Sequence, residues 1–357
     1  MSLMKMNFKK HGTYFILLAV FLALAISYPF VIEGVFGRNQ SRYLIFVGMD
    51  ILFFTAMGNA WNIIGGYGRQ TSWASATFFA IGAYTTILLF VGPPGQVSLE
   101  ISPLISMWVG VALAVIIAVI IGMPCFRLRG VYFAIATIAC TTIFRQLLIY
   151  FSDFTGGSLG IPFPNQPQTR VFHLIFTDFL RRPYYFIALV WMIITTVIVI
   201  IIEKNRLGHY LRAICEDQDA AESLGIKSSH VKLQAFMLSA SMLAITGSLY
   251  VSMLRMVEPN IFASHNMSIR IAIVAILGGM GAKFGPLLGA LVTIPLLELS
   301  RGYLGGIGHG GVEWVLYGLL IVLIVLFRPN GLASIFESAG TFFENRKAKK
   351  RGESGGV

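Results

Sequence analysis

Apolar positions run along this chain in continuous blocks, not in strict alternation, and short polar stretches separate the blocks. They cover residues 14–32, 43–64, 73–91, 104–124, 131–151, 184–202, 231–254 and 312–327, with a glycine-broken apolar region at 269–297. A helix needs about 20 residues to cross the roughly 30 Å of hydrocarbon in a bilayer, and most of these blocks have that length. Backbone groups left unpaired in lipid are costly, so only helices or closed barrels cross it. Barrel strands would appear as short alternating segments. The continuous blocks therefore predict an all-α integral membrane protein, a polytopic bundle of about 8–10 transmembrane helices.

Composition sharpens this picture. Hydrophobic residues make up 56% of the 357 and charged residues 12%, about half the charged share of a soluble globular chain. Lys and Arg number 27 against 16 Asp and Glu, a formal charge of +11. The basic residues lie in short loops and at both ends, which is the positive-inside bias of membrane proteins. They do not form the single basic face that nucleic acid requires. Lys5, Lys9 and Lys10 at one end, and Arg346, Lys347, Lys349, Lys350 and Arg351 at the other, place both termini in the cytoplasm and require an even number of crossings.

Crossing parity then puts Arg69, Arg127, Arg129 and residues 203–230 inside, and leaves Arg181 and Arg182 outside against the charge rule. It also makes 269–297 either two short helices turning back at 282–286, for about ten crossings, or a re-entrant pair, for about eight full ones. The expected division is a basic segment at 1–13, a transmembrane domain at 14–336 that contains a cytoplasmic loop at 203–230, and a basic tail at 337–357. Ala25, Ile26 and Ser27 resemble a signal-cleavage site, but the first block is longer than a usual signal core, which favours an uncleaved anchor. Cys125, Cys140 and Cys215 are scattered, without disulfide or metal-ligand spacing.

The loop at 203–230 carries the most information. Leu207, Leu211, Ile214, Ala221 and Leu224 fall at helical steps and line one face, and Gly225 suits a helix C-cap. An amphipathic helix between spans needs a groove for its apolar stripe. Glu216, Asp217, Asp219 and Glu222 would be repelled by anionic lipid, which favours a groove on a partner protein over the headgroup layer. A solvated connector is the alternative reading.

Here a resemblance enters. Ala220-Ala-Glu-Ser-Leu-Gly-Ile226 resembles the coupling loop of permeases in ATP-binding-cassette importers. Gly65-Gly-Tyr-Gly-Arg-Gln-Thr-Ser72, Phe78-Phe-Ala-Ile-Gly-Ala-Tyr84, Arg129-Gly-Val-Tyr-Phe133 and Thr155-Gly-Gly-Ser158 are similar, in order and spacing, to segments of the LivM-like permeases for branched-chain amino acids. So are Leu277-Gly-Gly-Met-Gly281 with Gly285-Pro-Leu-Leu-Gly289, and Phe327-Arg-Pro-Asn-Gly-Leu332. Two positions depart from that pattern. Ala74 and Ser75 stand where relatives usually have Gly-His, and Leu159 stands where Asp or Asn is common.

The resemblance implies a permease that forms half of a translocation pathway with a second, homologous permease. Two ATPase subunits would dock on the coupling residues Leu211, Ile214, Ala220, Ala221, Glu222, Leu224 and Gly225, and an extracytoplasmic substrate-binding protein would deliver the amino acid. The membrane would be the bacterial inner membrane. A urea or short-chain amide permease of the same class, or a secondary transporter that needs no ATPase, remains the rival.

Small residues at four-residue steps, Gly281, Gly285 and Gly289, and likewise Ser72, Ala76 and Ala80, predict close helix packing. Polar residues inside spans are candidates for the pathway. Asp50, Asn59 and Asn62 belong to that set, with the glycine and serine turn residues Gly65, Gly66, Ser72, Gly278 and Gly279; Arg145, Gln146 and Glu298 are further intramembrane polar positions, and Glu298 can pair with Arg301 near an interface. A half-helix start near 277–286 would offer free N–H groups to a substrate carboxylate; a simple sharp turn is the other reading. There is no G-x-x-x-x-G-K-[ST] phosphate loop, nucleophile elbow or paired-histidine metal helix. No catalytic, nucleotide, metal or cofactor site is expected in this chain.

Overall fold

A computed structural model of the chain describes residues 23–94, 101–128, 130–162 and 182–304, with scattered positions between 315 and 333. The basic segment 1–13, most of the block at 312–327, the tail 337–357, and Arg129 and Arg181 lie outside the described residues. The described chain is helical apart from one short strand pair, so the all-α membrane bundle is what forms. The long elements are α1 (Ala23–Val35), α2 (Arg38–Asn62), α3 (Ser75–Phe90), α4 (Pro103–Cys125) and α5 (Val131–Tyr150). A short α6 (Ser152–Thr155) and strand β1 (Ile161–Pro162) follow. Next come α7 (Arg182–Lys204), α8 (Arg206–Glu216), α9 (Gln218–Ser223) and α10 (Ser228–Leu254). The described chain continues through β2 (Met256–Val257), α11 (Pro259–Phe262), α12 (His265–Gly278) and α13 (Gly285–Leu304).

Among the described residues, six helical stretches are long and apolar enough to cross a bilayer, and α1, α3 and α13 contain shorter apolar helices. The glycine-broken region is two helices, with its turn at 279–284. Contacts sort the segments into two ends. At one end Glu203, which closes α7, ion-pairs with Arg212 of α8 and with Lys283 of that turn, and Leu332 N–H donates to the Leu277 carbonyl. At the other end β1 pairs antiparallel with β2, the Tyr43 hydroxyl donates to the Glu298 carbonyl, and Tyr28 stacks on Tyr185.

The centre of the bundle is α2. Over its best apolar window 83% of residues are buried, against 22% for α4 and α5. The outer helix α4 shows how such a bundle packs. Its buried positions Ser106, Gly110, Ala114, Ala118 and Gly122 form a four-residue ridge, while Ile105, Ile116 and Ile120 face outward. Without water to drive association, close backbone approach along small residues supplies the contact. Helices α3 and α10 approach very closely. A Cβ on Gly82 would collide with the Ala244 carbonyl, and one on Gly247 with the Phe79 carbonyl.

Three sequence expectations change. Ser72 does not continue the Ala76 and Ala80 face, because α3 begins at Ser75 and Ser72 lies in an extended approach to it. Gly281, Gly285 and Gly289 do not share one helix: Gly281 is in the turn with φ +75°, Gly285 opens α13, and Gly289 lies inside it against the Val274 carbonyl. The loop at 203–230 is two helices and not one. Asp217 is extended, and its carboxylate caps α9 by accepting from Asp219 and Ala220 N–H at 2.9 and 3.0 Å.

Gly247→Ala should lower the stability of the detergent-purified protein by roughly 1–3 kcal/mol, because backbone on α3 cannot yield to the new Cβ. Gly34→Ala, which meets nothing within 4 Å, should be neutral or slightly stabilising in its helix. Thermal unfolding followed by intrinsic fluorescence separates the two.

Candidate functional site

The chain leaves helical geometry near its own centre and must satisfy the backbone it exposes there. Residues Ile63–Tyr67 at the end of α2 are wound as a π-helix, an arrangement frequent at functional positions. Residues 68–74 then return toward α3. Trp61 Nε1–H donates to the Ser72 carbonyl at 2.8 Å. The Trp73 carbonyl accepts from Ser268 Oγ of α12 at 2.7 Å and from Thr141 Oγ1 of α5 at 2.9 Å. Trp73 N–H donates to Thr137 Oγ1 at 3.1 Å, and Ala76 N–H at the start of α3 donates to Ser268 Oγ at 3.0 Å. Thr77 Oγ1 donates to Thr141 Oγ1 at 3.1 Å. These hydroxyls, at Thr137, Thr141 and Ser268, were not singled out from sequence. Their signal was present as a four-residue step of threonines on α5.

The candidate pathway residues are divided among three places. Asn62, Gly66, Gly278, Gly279 and Gly281 come together. Asn62 Nδ2–H donates to the Ala282 carbonyl at 3.1 Å and its Oδ1 accepts from Gly281 N–H at 2.9 Å. Gly66 is glycine because a Cβ there would fall on Asn62 Oδ1, and Gly65 lies against the Trp61 ring. Asn59 faces α7 instead and donates to Thr195 and Thr196 hydroxyls at 3.3 and 3.0 Å. Asp50 is buried toward the other end and accepts from the Tyr250 hydroxyl at 2.8 Å. Arg145 is half-buried and Gln146 exposed on α5.

Three N–H groups of the turn at 279–284 and the start of α13 are already taken. Gly281 N–H is taken by Asn62, and Ala282 and Gly285 N–H by the Gly279 and Ala282 carbonyls. The turn thus closes on itself and on Asn62.

At the end marked by Glu203, α8 and α9 form a knuckle. Leu211, Ile214 and Ala221 are buried within this chain, so the apolar stripe already has its groove. Glu222 is likewise engaged: Gln218 Nε2–H donates to it at 2.9 Å and Ser228 Oγ donates to it as well. Lys232 Nζ donates to Gln218 Oε1 at 2.8 Å, which fastens α9 to the first turn of α10. What remains outward is Ala220, Gly225 and above all Leu224, 84% exposed. Leu224 falls at the C-cap of α9, off the buried stripe, and Gly225 takes φ +85° to close the helix. Knuckle and bundle are joined through Glu203, whose carboxylate lies 2.7 Å from Arg212 and 3.1 Å from Lys283. Arg212 also stands over the Tyr67 ring of the π-helix, 5.6 Å from its centroid.

Comparison with known proteins settles the family. A family model described as the permease component of the branched-chain amino acid transport system matches residues 42–327. The chain belongs to this family. It is 28% identical over 338 residues to the high-affinity branched-chain amino acid transport system permease protein LivM of Escherichia coli, a match covering 88% of this chain and 74% of the relative. It is 23% identical over 241 residues to a probable LivM of Methanocaldococcus jannaschii, 62% of this chain and 67% of the relative. A shorter match joins it to the permease LivH of Salmonella typhimurium, 29% identical over 148 residues, 41% of this chain and 46% of the relative. No solved structure matches the chain. Within the permease, the family match spans the π-helix, the Trp73 junction, the knuckle and the glycine turn.

Asn62→Leu should destabilise the purified permease by roughly 1–3 kcal/mol for each buried backbone group it strands, at Gly281 and Ala282. A melting temperature equal to that of the unsubstituted protein would show that the turn closes without Asn62.

Proposed function

We propose that this permease is one half of the translocation pathway of an ATP-binding-cassette importer for branched-chain or similar amino acids. It sits in a bacterial cytoplasmic membrane with both termini inside. A second homologous permease completes the pathway, two ATPase subunits dock at the α8–α9 knuckle, and an extracytoplasmic substrate-binding protein delivers amino acid at the opposite end. The family match across residues 42–327 carries the reading. The knuckle supports it, since an exposed leucine on a short helix with a buried backing suits a groove on a partner.

The coupling surface is then Ala220, Leu224 and Gly225, with Leu211, Ile214 and Ala221 as the backing that keeps the knuckle rigid. Closure of the ATPases on nucleotide would move α9. Glu203 passes that displacement to Lys283 and the glycine turn, and Arg212 passes it to Tyr67. The bundle alternates between two packings, and ATP binding and hydrolysis bias which one is populated. The chain itself is no enzyme in this scheme and needs no cofactor, since ATP is hydrolysed by the partner subunits. A transporter working alone would have no use for the exposed Leu224.

The permease reconstituted with its partners should take up leucine in proteoliposomes only when ATP is present, and should take up neither urea nor acetamide. Uptake by the purified chain alone, without nucleotide, would overturn the proposal. Leu224→Glu should abolish ATP-driven uptake and weaken co-purification of the ATPases while leaving the melting temperature unchanged. Leu211→Ala should instead cost about 2–5 kcal/mol of stability, as a buried leucine does.

A further inference from the structure

Arg270 is the only residue of α12 with a permanent charge, and it lies inside a stretch apolar enough to cross the bilayer. It points inward: its Cζ stands 4.7 Å from the centroid of the Phe54 ring, and Phe54 is 0% exposed. Its Nε is buried and meets no hydrogen-bond acceptor. Arg270 forms no ion pair with any described residue.

A carboxylate lies one helical turn before Phe54 on α2. It belongs to Asp50, which accepts the Tyr250 hydroxyl at 2.8 Å. An unpaired cation inside a membrane bundle is expensive and marks a functional position by default. The face of Phe54 offsets part of that cost by cation–π attraction and leaves the guanidinium N–H groups free for an acceptor. A planar guanidinium matches a carboxylate with two parallel hydrogen bonds.

We infer that Arg270 binds the carboxylate of the amino acid as it crosses the membrane. The inference rests on the function proposed above and narrows it, since urea or a simple amide would have no use for a cation here. The competing occupant is an acidic side chain of the second permease.

The test uses the complete importer in proteoliposomes, with radiolabelled L-leucine supplied through the binding protein. Arg270→Gln should reduce uptake roughly 10- to 100-fold, the worth of a charged hydrogen bond, and Arg270→Lys should retain more. The second permease and the ATPases should still co-purify. Thermal stability of Arg270→Gln should equal or exceed that of the parent, because a half-buried charge whose Nε meets no acceptor has been removed. Uptake by Arg270→Gln within about twofold of the parent would overturn the inference. So would a lowered melting temperature, which marks a structural cation, or loss of the second permease, which marks a subunit contact. A parent complex that carries no leucine would sink the functional reading itself before any substitution is made, and the inference with it.

Discussion

Inside the hydrocarbon there is no water to accept a stray peptide hydrogen bond, so each stretch of backbone that leaves a helix must find its partner in the protein. The organisation of this permease follows from that constraint. Where α2 unwinds and the chain runs back to α3, donors come from the Trp61 indole and from hydroxyls on α5 and α12. Where α12 turns into α13, one asparagine amide serves a carbonyl and an N–H of the turn. The same bonds that satisfy irregular backbone hold helices from distant parts of the sequence in register. In this way polar side chains that look like pathway candidates become the fastenings of the bundle.

Charge follows a related logic at the Glu203 end, where solvent is available. Glu203 accepts two cations, one from the knuckle and one from the glycine turn, and both partners are partly exposed, so the pairs contribute little to stability. They link the surface knuckle to the glycine turn at the same end of the bundle through long, partly exposed side chains.

The helical membrane fold was legible because apolar block length and continuity are averages over many residues, and lipid leaves few alternatives. The break in the 269–297 region was legible for the same reason, as glycines interrupt an otherwise uniform block. The loop at 203–230 was half legible. Leu211, Ile214 and Ala221 do share a face, but periodicity cannot report that Asp217 cuts the helix, nor that the face is already covered by this chain. Four-residue spacing misled where it ran across a turn, at Gly281 and Gly285, and went unnoticed on α4, where Ser106 to Gly122 keep it for five positions. Arg270 was overlooked because an arginine at the start of an apolar region reads as an interfacial residue. Its guanidinium against the buried Phe54 ring shows otherwise.

The carbonyl of Trp73 is gripped from two sides, by α5 and by α12. Pulling those helices apart would strand that oxygen or one of its donors in a dry interior, so α5, α12 and the entry to α3 should travel as one block. By contrast, the described side-chain hydrogen bond that leaves α4 joins Cys125 to Cys140 of α5, and among the described residues none crosses to α3 or α10; its seam with those two helices is a smooth track of small residues. Sliding along such a seam exchanges one set of van der Waals contacts for another of nearly equal worth, which is the kind of shear by which packed helices shift. The permease thus contains both a clamp and a slip plane, and the division between them is drawn by where hydroxyls were placed.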